Sequence, residues 1–188
     1  MKNLKSILAP ITFTLCMFLS ACAQKTNSSE EKKTTETKLL TKTDTMTNPY
    51  YSRTSTEKLN VSDAEWKKVL PQDLYATARE GDTERAFTGK LWDSESKGTY
   101  YCAACGNLLF RSDQKFQSSC GWPSFFEQEN KNSVVYKVDK SYGMVRTEAL
   151  CGRCDAHLGH LFDDGPEPTG KRYCMNSVSL EFDPDSQN

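Results

Sequence analysis

The chemistry open to this chain lies in its eight cysteines and two histidines. Four cysteines fall into two C-x2-C knuckles, Cys102-Ala-Ala-Cys105 and Cys151-Gly-Arg-Cys154. A knuckle sets two thiolates on one side of a turn. Two knuckles complete a tetrahedral S4 set with no open position, which makes a structural rather than a catalytic metal site. The donor set suits zinc, and iron shares its preference for thiolate. The alternative is two disulfides, which an oxidising compartment would permit.

Cys120 and Cys174 remain. Cys174 sits in the alternating stretch Arg172-Tyr-Cys-Met-Asn-Ser-Val-Ser-Leu-Glu-Phe182. Read as one strand, it puts Arg172, Cys174 and Asn176 on one face, which Val178, Leu180 and Phe182 continue toward the core. A guanidinium beside a thiol lowers its pKa and makes it nucleophilic. The same pattern also describes a cysteine that merely packs in a strand. Cys120 lies in Ser118-Ser-Cys-Gly-Trp-Pro-Ser-Phe-Phe126, where Gly121 and Pro123 predict a tight loop and Trp122 offers an apolar wall. Both histidines, His157 and His160, follow the second knuckle, so a metal there would anchor the segment that carries them. A pair of imidazoles with an uncommitted thiol elsewhere points to acid–base work.

The elements that must position these groups are short. Ser62-Asp-Ala-Glu65 fits a helix start, with Trp66, Val69 and Leu70 at helical spacing. Pro71 opens a second helix through about Glu80, and Gly81 stops it. Beyond it, Thr99–Cys102, Leu108–Phe110, Ser133–Val138, Met144–Ala149 and Arg172–Phe182 are β-favouring segments between turn clusters. The expected fold class is mainly β: antiparallel sheets in a small domain with short N-terminal helices and a structural zinc site. The folded part is expected over 59–185, with 186–188 as a tail.

The rest of the chain bounds the answer. A length of 188 residues allows one domain plus tails. A net charge of −1 offers no basic field, so nucleic acid is not an expected partner. Lys2 and Lys5 precede an apolar run from Ile7 to Ala21 that is too short to span a bilayer stably and has the build of a secretory signal, 1–21. Its end, Leu19-Ser-Ala-Cys22, resembles a bacterial lipobox, which would make Cys22 the lipidated first residue and leave Cys16 in the discarded segment. Residues 22–58 read as a tether rich in Ser, Thr and mixed charge, unable to bury enough apolar surface to order itself. The expected location is the cell envelope, with the domain lipid-anchored to a membrane.

Taken together, Cys120-Gly-Trp-Pro-Ser-Phe125, Cys151-Gly-x-Cys-x-Ala-His-Leu-Gly-His160, Asp164-Gly-Pro-x-Pro-Thr-Gly170 and Arg172-Tyr-Cys-x-Asn176 resemble the methionine sulfoxide reductase B family. Ser119 departs from it, standing where that family usually has Gly. The resemblance implies an enzyme that reduces the R epimer of methionine sulfoxide, free or in oxidised proteins. It implies that Cys174 is the nucleophile and Cys120 the cysteine that resolves it. Cys102, Cys105, Cys151 and Cys154 would hold one zinc, with no organic cofactor. Trp122, Phe125, His157, His160, Arg172 and Asn176 would bind substrate or handle protons. A thioredoxin-like dithiol is the implied reductant, and a monomer is expected. A zinc module that only binds a partner, or a general thiol–disulfide oxidoreductase, would be the rival readings. The first leaves Cys120, Cys174 and the histidines without a role, and the second lacks its usual C-x-x-C at a strand–helix junction.

Overall fold

The computed structural model of the protein describes residues 48–186. The signal, Cys16, Cys22 and the tether up to residue 47 lie outside the described residues. Among the described residues, no helix is long and apolar enough to cross a membrane.

Helices α1 (Asp63–Val69) and α2 (Gln72–Glu80) open the domain. The Ser62 side chain accepts from the Glu65 amide, capping α1; Asp63 and Glu65 in its first turn and Lys67 and Lys68 in its last suit the helix dipole. Gly81 ends α2 in a left-handed conformation (φ 74°), where a Cβ would be strained. Trp66, Leu70, Leu74 and Ala78 go down onto the sheets and are buried. Each of the two leucines contributes about 1.5–3 kcal/mol.

Among the described residues nine strands follow, all antiparallel in their pairing. A three-stranded sheet runs β2 (Leu108–Arg111), β1 (Gly98–Cys102), β9 (Leu180–Pro184). A six-stranded sheet runs β3 (Lys115–Phe116), β4 (Ser124–Phe125), β8 (Arg172–Met175), β7 (His157–Phe162), β6 (Arg146–Cys151), β5 (Val134–Asp139). Tyr100, Leu109, Phe110, Phe125, Leu158 and Met175 fill the core.

Three expectations need correction. The stretch from Arg172 to Phe182 is two strands in two sheets. A 3-10 turn at Ser177–Ser179 parts them, because the Glu84 carboxylate accepts from the Ser177 and Val178 amides (2.6 and 3.1 Å) and takes them out of any ladder. The faces of β8 are also reversed. Tyr173 and Met175 are its buried side, and Arg172 and Cys174 look toward an opening. Finally, the expected tether ends earlier than 58. Residues 48–58 pack on the domain: Tyr50 meets Trp66 edge-on at 5.0 Å, and Arg53 pairs with Glu181 and Asp183 on β9. A polar sequence orders here because its hydrogen bonds go to the domain instead of to itself.

Candidate active site and metal cluster

The four knuckle sulfurs lie within 4.8 Å of one another and are buried. Across the knuckles, Cys102 Sγ is 3.8 Å from Cys154 Sγ, and Cys105 Sγ is 3.6 Å from Cys151 Sγ. A tetrahedron with metal–sulfur bonds of about 2.3 Å has sulfur–sulfur edges of about 3.8 Å, whereas a disulfide needs about 2.05 Å. The spacing fits a metal and rules out the two disulfides; all six cysteines among the described residues are free. The Asn107 amide reaches Cys151 Sγ at 3.6 Å, the kind of outer donor that steadies a thiolate ligand.

Arg153, inside the second knuckle, locks residues 48–59 over the cluster. Its buried guanidinium donates to the carbonyls of Glu57, Tyr50 and Ser52 (3.2, 3.2 and 3.3 Å) and to that of Cys105. The Ser52 amide donates to the Cys105 carbonyl at 2.9 Å, and the Leu59 amide to that of Arg153 at 2.8 Å. Nothing in the sequence signalled this strap. An arginine in a C-x2-C turn reads as exposed until the segment that covers it is known.

The second centre is built by the six-stranded ladder. Cys174 on β8 stands directly across from Ser124 on β4 and from His160 on β7. Gly159 makes this close approach possible, since a Cβ there would lie 2.0 Å from the Cys174 carbonyl oxygen. The loop before β4 brings Cys120 Sγ to 3.3 Å from Cys174 Sγ. Cys174 opens on a cleft of about 110 Å3 that Trp122, Arg146, His160, Phe162 and Asn176 also line, with Cys120 directly behind it.

Two sulfurs this close hold one proton between them at neutral pH. Hydrogen bonds from Cys174 and from the Ser118 and Ser124 hydroxyls pull the Cys120 thiol down to about 4. The same contact with Cys120, together with burial, pushes Cys174 well up, and Arg172 offsets only part of it. The contact therefore favours a thiolate on Cys120 over one on Cys174, where the Arg172 neighbour had suggested it. Arg172 is engaged elsewhere: it forms a two-pronged pair with Asp164 at 2.8 Å and stacks over Phe162 at 4.3 Å.

The other expected residues divide by position. Trp122 walls the cleft, pinned by its indole N–H donating to the Glu84 carbonyl at 3.1 Å. His160 lines the cleft, with Nε2 2.9 Å from Asp139 Oδ2. Burial sets its pKa below the ordinary value, although Asp139 pulls the other way. His157 is buried behind it, with Nδ1 2.8 Å from Glu148 and its ring edge-on to His160 at 5.4 Å. Asn176 is buried, and its amide is spent: it donates to the Leu158 carbonyl at 3.1 Å and accepts from the Glu84 amide at 3.1 Å. Phe125 is not at the cleft. It is fully buried, stacked on Phe110 at 4.2 Å and edge-on to Tyr100 at 4.9 Å, because a side chain next to Ser124 on β4 must point to the other face. Arg146, Asp139 and Glu84 were missed, since charges in a loop or hairpin carry no spacing signal.

A SelR domain model matches residues 70–184. The chain belongs to the SelR, or methionine sulfoxide reductase B, family. Its relatives include a peptide methionine sulfoxide reductase MsrB from Herminiimonas arsenicoxydans, 52% identical over 128 residues, which are 68% of this chain and 93% of the relative. One of the same name from Thiobacillus denitrificans is 56% identical over 123 residues, covering 65% and 93%. Another, from Methanosarcina barkeri, is 55% identical over 121 residues, covering 64% and 85%.

Proposed function

We propose that the chain is a peptide-methionine (R)-S-oxide reductase. Its catalytic cysteine is Cys174, its resolving cysteine is Cys120, and one structural zinc sits on the knuckles. The observation that carries this reading is the 3.3 Å pair of thiols at a cleft between an indole and an imidazole. Family membership names the substrate class.

As substrate enters, the proton of Cys174 passes to Cys120 along their contact. The Cys174 thiolate then attacks the sulfoxide sulfur while its oxygen takes up a proton, for which His160 is the placed acid; the hydroxyl passes to the Cys174 sulfur as the bond between the two sulfurs breaks. Trp122 holds the methyl group. With methyl on the indole and sulfur on Cys174, only one configuration turns its oxygen toward His160, which accounts for epimer selection. Methionine leaves, and Cys174 carries the oxygen as a sulfenic acid. Cys120 attacks that sulfur and water departs, a closure that needs the sulfurs to approach by about a further 1.3 Å. An external dithiol, of thioredoxin type, reduces the disulfide and becomes one itself. The four thiolates would hold zinc as a fold-bearing clip, and no step passes through it. A lipid on Cys22 would tether the domain at the cell envelope and make oxidised envelope proteins its substrates.

The test uses epimer-resolved sulfoxides. Cys120→Ser is expected to release about one methionine per enzyme and then stop with a thioredoxin-type reductant, whereas Cys174→Ser releases none. Reduction of the S epimer alone, or turnover by Cys174→Ser, would overturn the reading. Labelling of Cys22 by a fatty-acid probe tests the anchor separately.

A further inference from the structure

Asp139 ends β5 and is the direct ladder partner of Arg146, the first residue of β6. That pairing folds the hairpin so that one carboxylate oxygen, Asp139 Oδ2, meets Arg146 Nη2 at 2.5 Å and His160 Nε2 at 2.9 Å. The other oxygen accepts from the Ser141 amide at 2.8 Å. The carboxylate is thus fixed on both sides and mostly shielded from solvent, at 15% side-chain exposure. Both of these partners line the cleft beside Cys174.

Two atoms are left with unused capacity. Arg146 Nε is buried and has no hydrogen-bond partner, although it carries a proton. An orphan donor of this kind is rare in a native interior and calls for an acceptor. His160 Nδ1 has no protein partner among the described residues. With Nε2 held by the acceptor Asp139, the neutral ring keeps its proton on Nε2, so Nδ1 is the nitrogen that gains and gives a proton.

We propose that Asp139 is a positioning residue that organises His160 and Arg146 into a two-donor site for the oxygen of the substrate. This rests on the reductase reading above. The imidazolium gives its Nδ1 proton to the leaving oxygen, and the guanidinium, held by Asp139, donates to the same oxygen as charge builds on it. The arrangement resembles that of a histidine oriented by a carboxylate in other enzymes, with the hairpin supplying the second donor.

The charged and titratable groups facing His160 are Asp139 from β5, Arg146 and Glu148 from β6, His157 on its own strand, and Cys174 from β8. Asp139 favours the imidazolium; burial, Arg146 and His157 oppose it. The signs of two substitutions therefore differ. Asp139→Asn removes the favourable charge, lowers the His160 pKa and moves the alkaline fall of activity to lower pH. Arg146→Gln removes an opposing charge and moves that fall to higher pH, while lowering the plateau through loss of a donor.

The experiment is single-turnover reduction of the R sulfoxide from pH 5 to 9 with the metal-loaded protein. Asp139→Asn is expected to be about tenfold or more slower at pH 8, since each unit lost from the imidazole pKa is a factor of ten on the alkaline limb, with the ratio to wild type returning toward one at pH 5. In parallel, 15N spectra of the imidazoles should place the neutral His160 proton on Nε2 in the wild type and shift it to a mixture in Asp139→Asn. A ratio that stays constant with pH, or both variants moving the fall in one direction, would overturn the proposal. If the wild type reduces no sulfoxide, the function reading fails, and the 15N tautomer alone decides: proton on Nδ1 in the wild type refutes the positioning role.

Discussion

Phe125→Leu separates a core role from a substrate role at a position that the family motif had placed with the substrate. The ring is fully buried, lies nearly parallel to Phe110 (9° between planes, 4.2 Å) and meets Tyr100 edge-on at 4.9 Å. Leucine keeps most of the apolar volume but ends both ring pairings, each contributing about 0.5–1.5 kcal/mol beyond area burial. The expected loss is about 1–3 kcal/mol. For a domain of this size that lowers the midpoint of thermal unfolding by roughly 3–10 °C. The assay is urea or thermal denaturation of the metal-loaded, reduced protein, run beside steady-state reduction of the R sulfoxide well below the transition. KM should stay within about twofold, because nothing at the cleft is removed. A KM raised tenfold with an unchanged midpoint would refute the placement of Phe125 in the core.

The thiol pair predicts that thiolate absorbance at 240 nm rises near pH 4 by one group per chain. Below that pH the pair holds two protons and above it one, since Cys120 titrates at about 4 while Cys174 is pushed up. A first step near pH 8–9 would contradict the geometry. Cys105→Ser leaves three buried sulfurs and is expected to lose the metal and, with it, cooperative unfolding by circular dichroism; structural zinc sites contribute about 10 kcal/mol or more. Arg153→Met keeps the buried stem but orphans up to three carbonyls, of Glu57, Tyr50 and Ser52, at about 1–3 kcal/mol each. It should free residues 48–57 to limited proteolysis and speed metal loss to a chelator, with the initial sulfoxide burst preserved.

Much of the site was legible because its chemistry is local. C-x2-C spacing needs only a turn, so Cys102, Cys105, Cys151 and Cys154 announced a metal cluster before any fold was known. The helix caps at Ser62 and Gly81 are also local and were readable for that reason. Four of the strands were readable too, because alternation is a short-range pattern. The faces of β8 were not. Burial of Tyr173 and Met175 instead of Cys174 depends on which sheet lies above the strand, and the end of β8 depends on Glu84, far away in sequence, reaching the Ser177 amide.

The sequence alone determined the inventory: two thiols outside the knuckles, a sulfur cluster, two histidines and an indole, in motifs specific enough to name a family. Tertiary structure decided how they act. It put Cys120 3.3 Å from Cys174, close enough for the two thiols to share a proton. It turned Phe125 into core and Asn176 into a brace. It also brought Asp139 and Arg146, which carry no motif in the chain, to His160. The physical reason is that side-chain type is a property of a residue, whereas pKa, exposure and reach belong to its neighbours, and those are set by strand pairing across tens of residues.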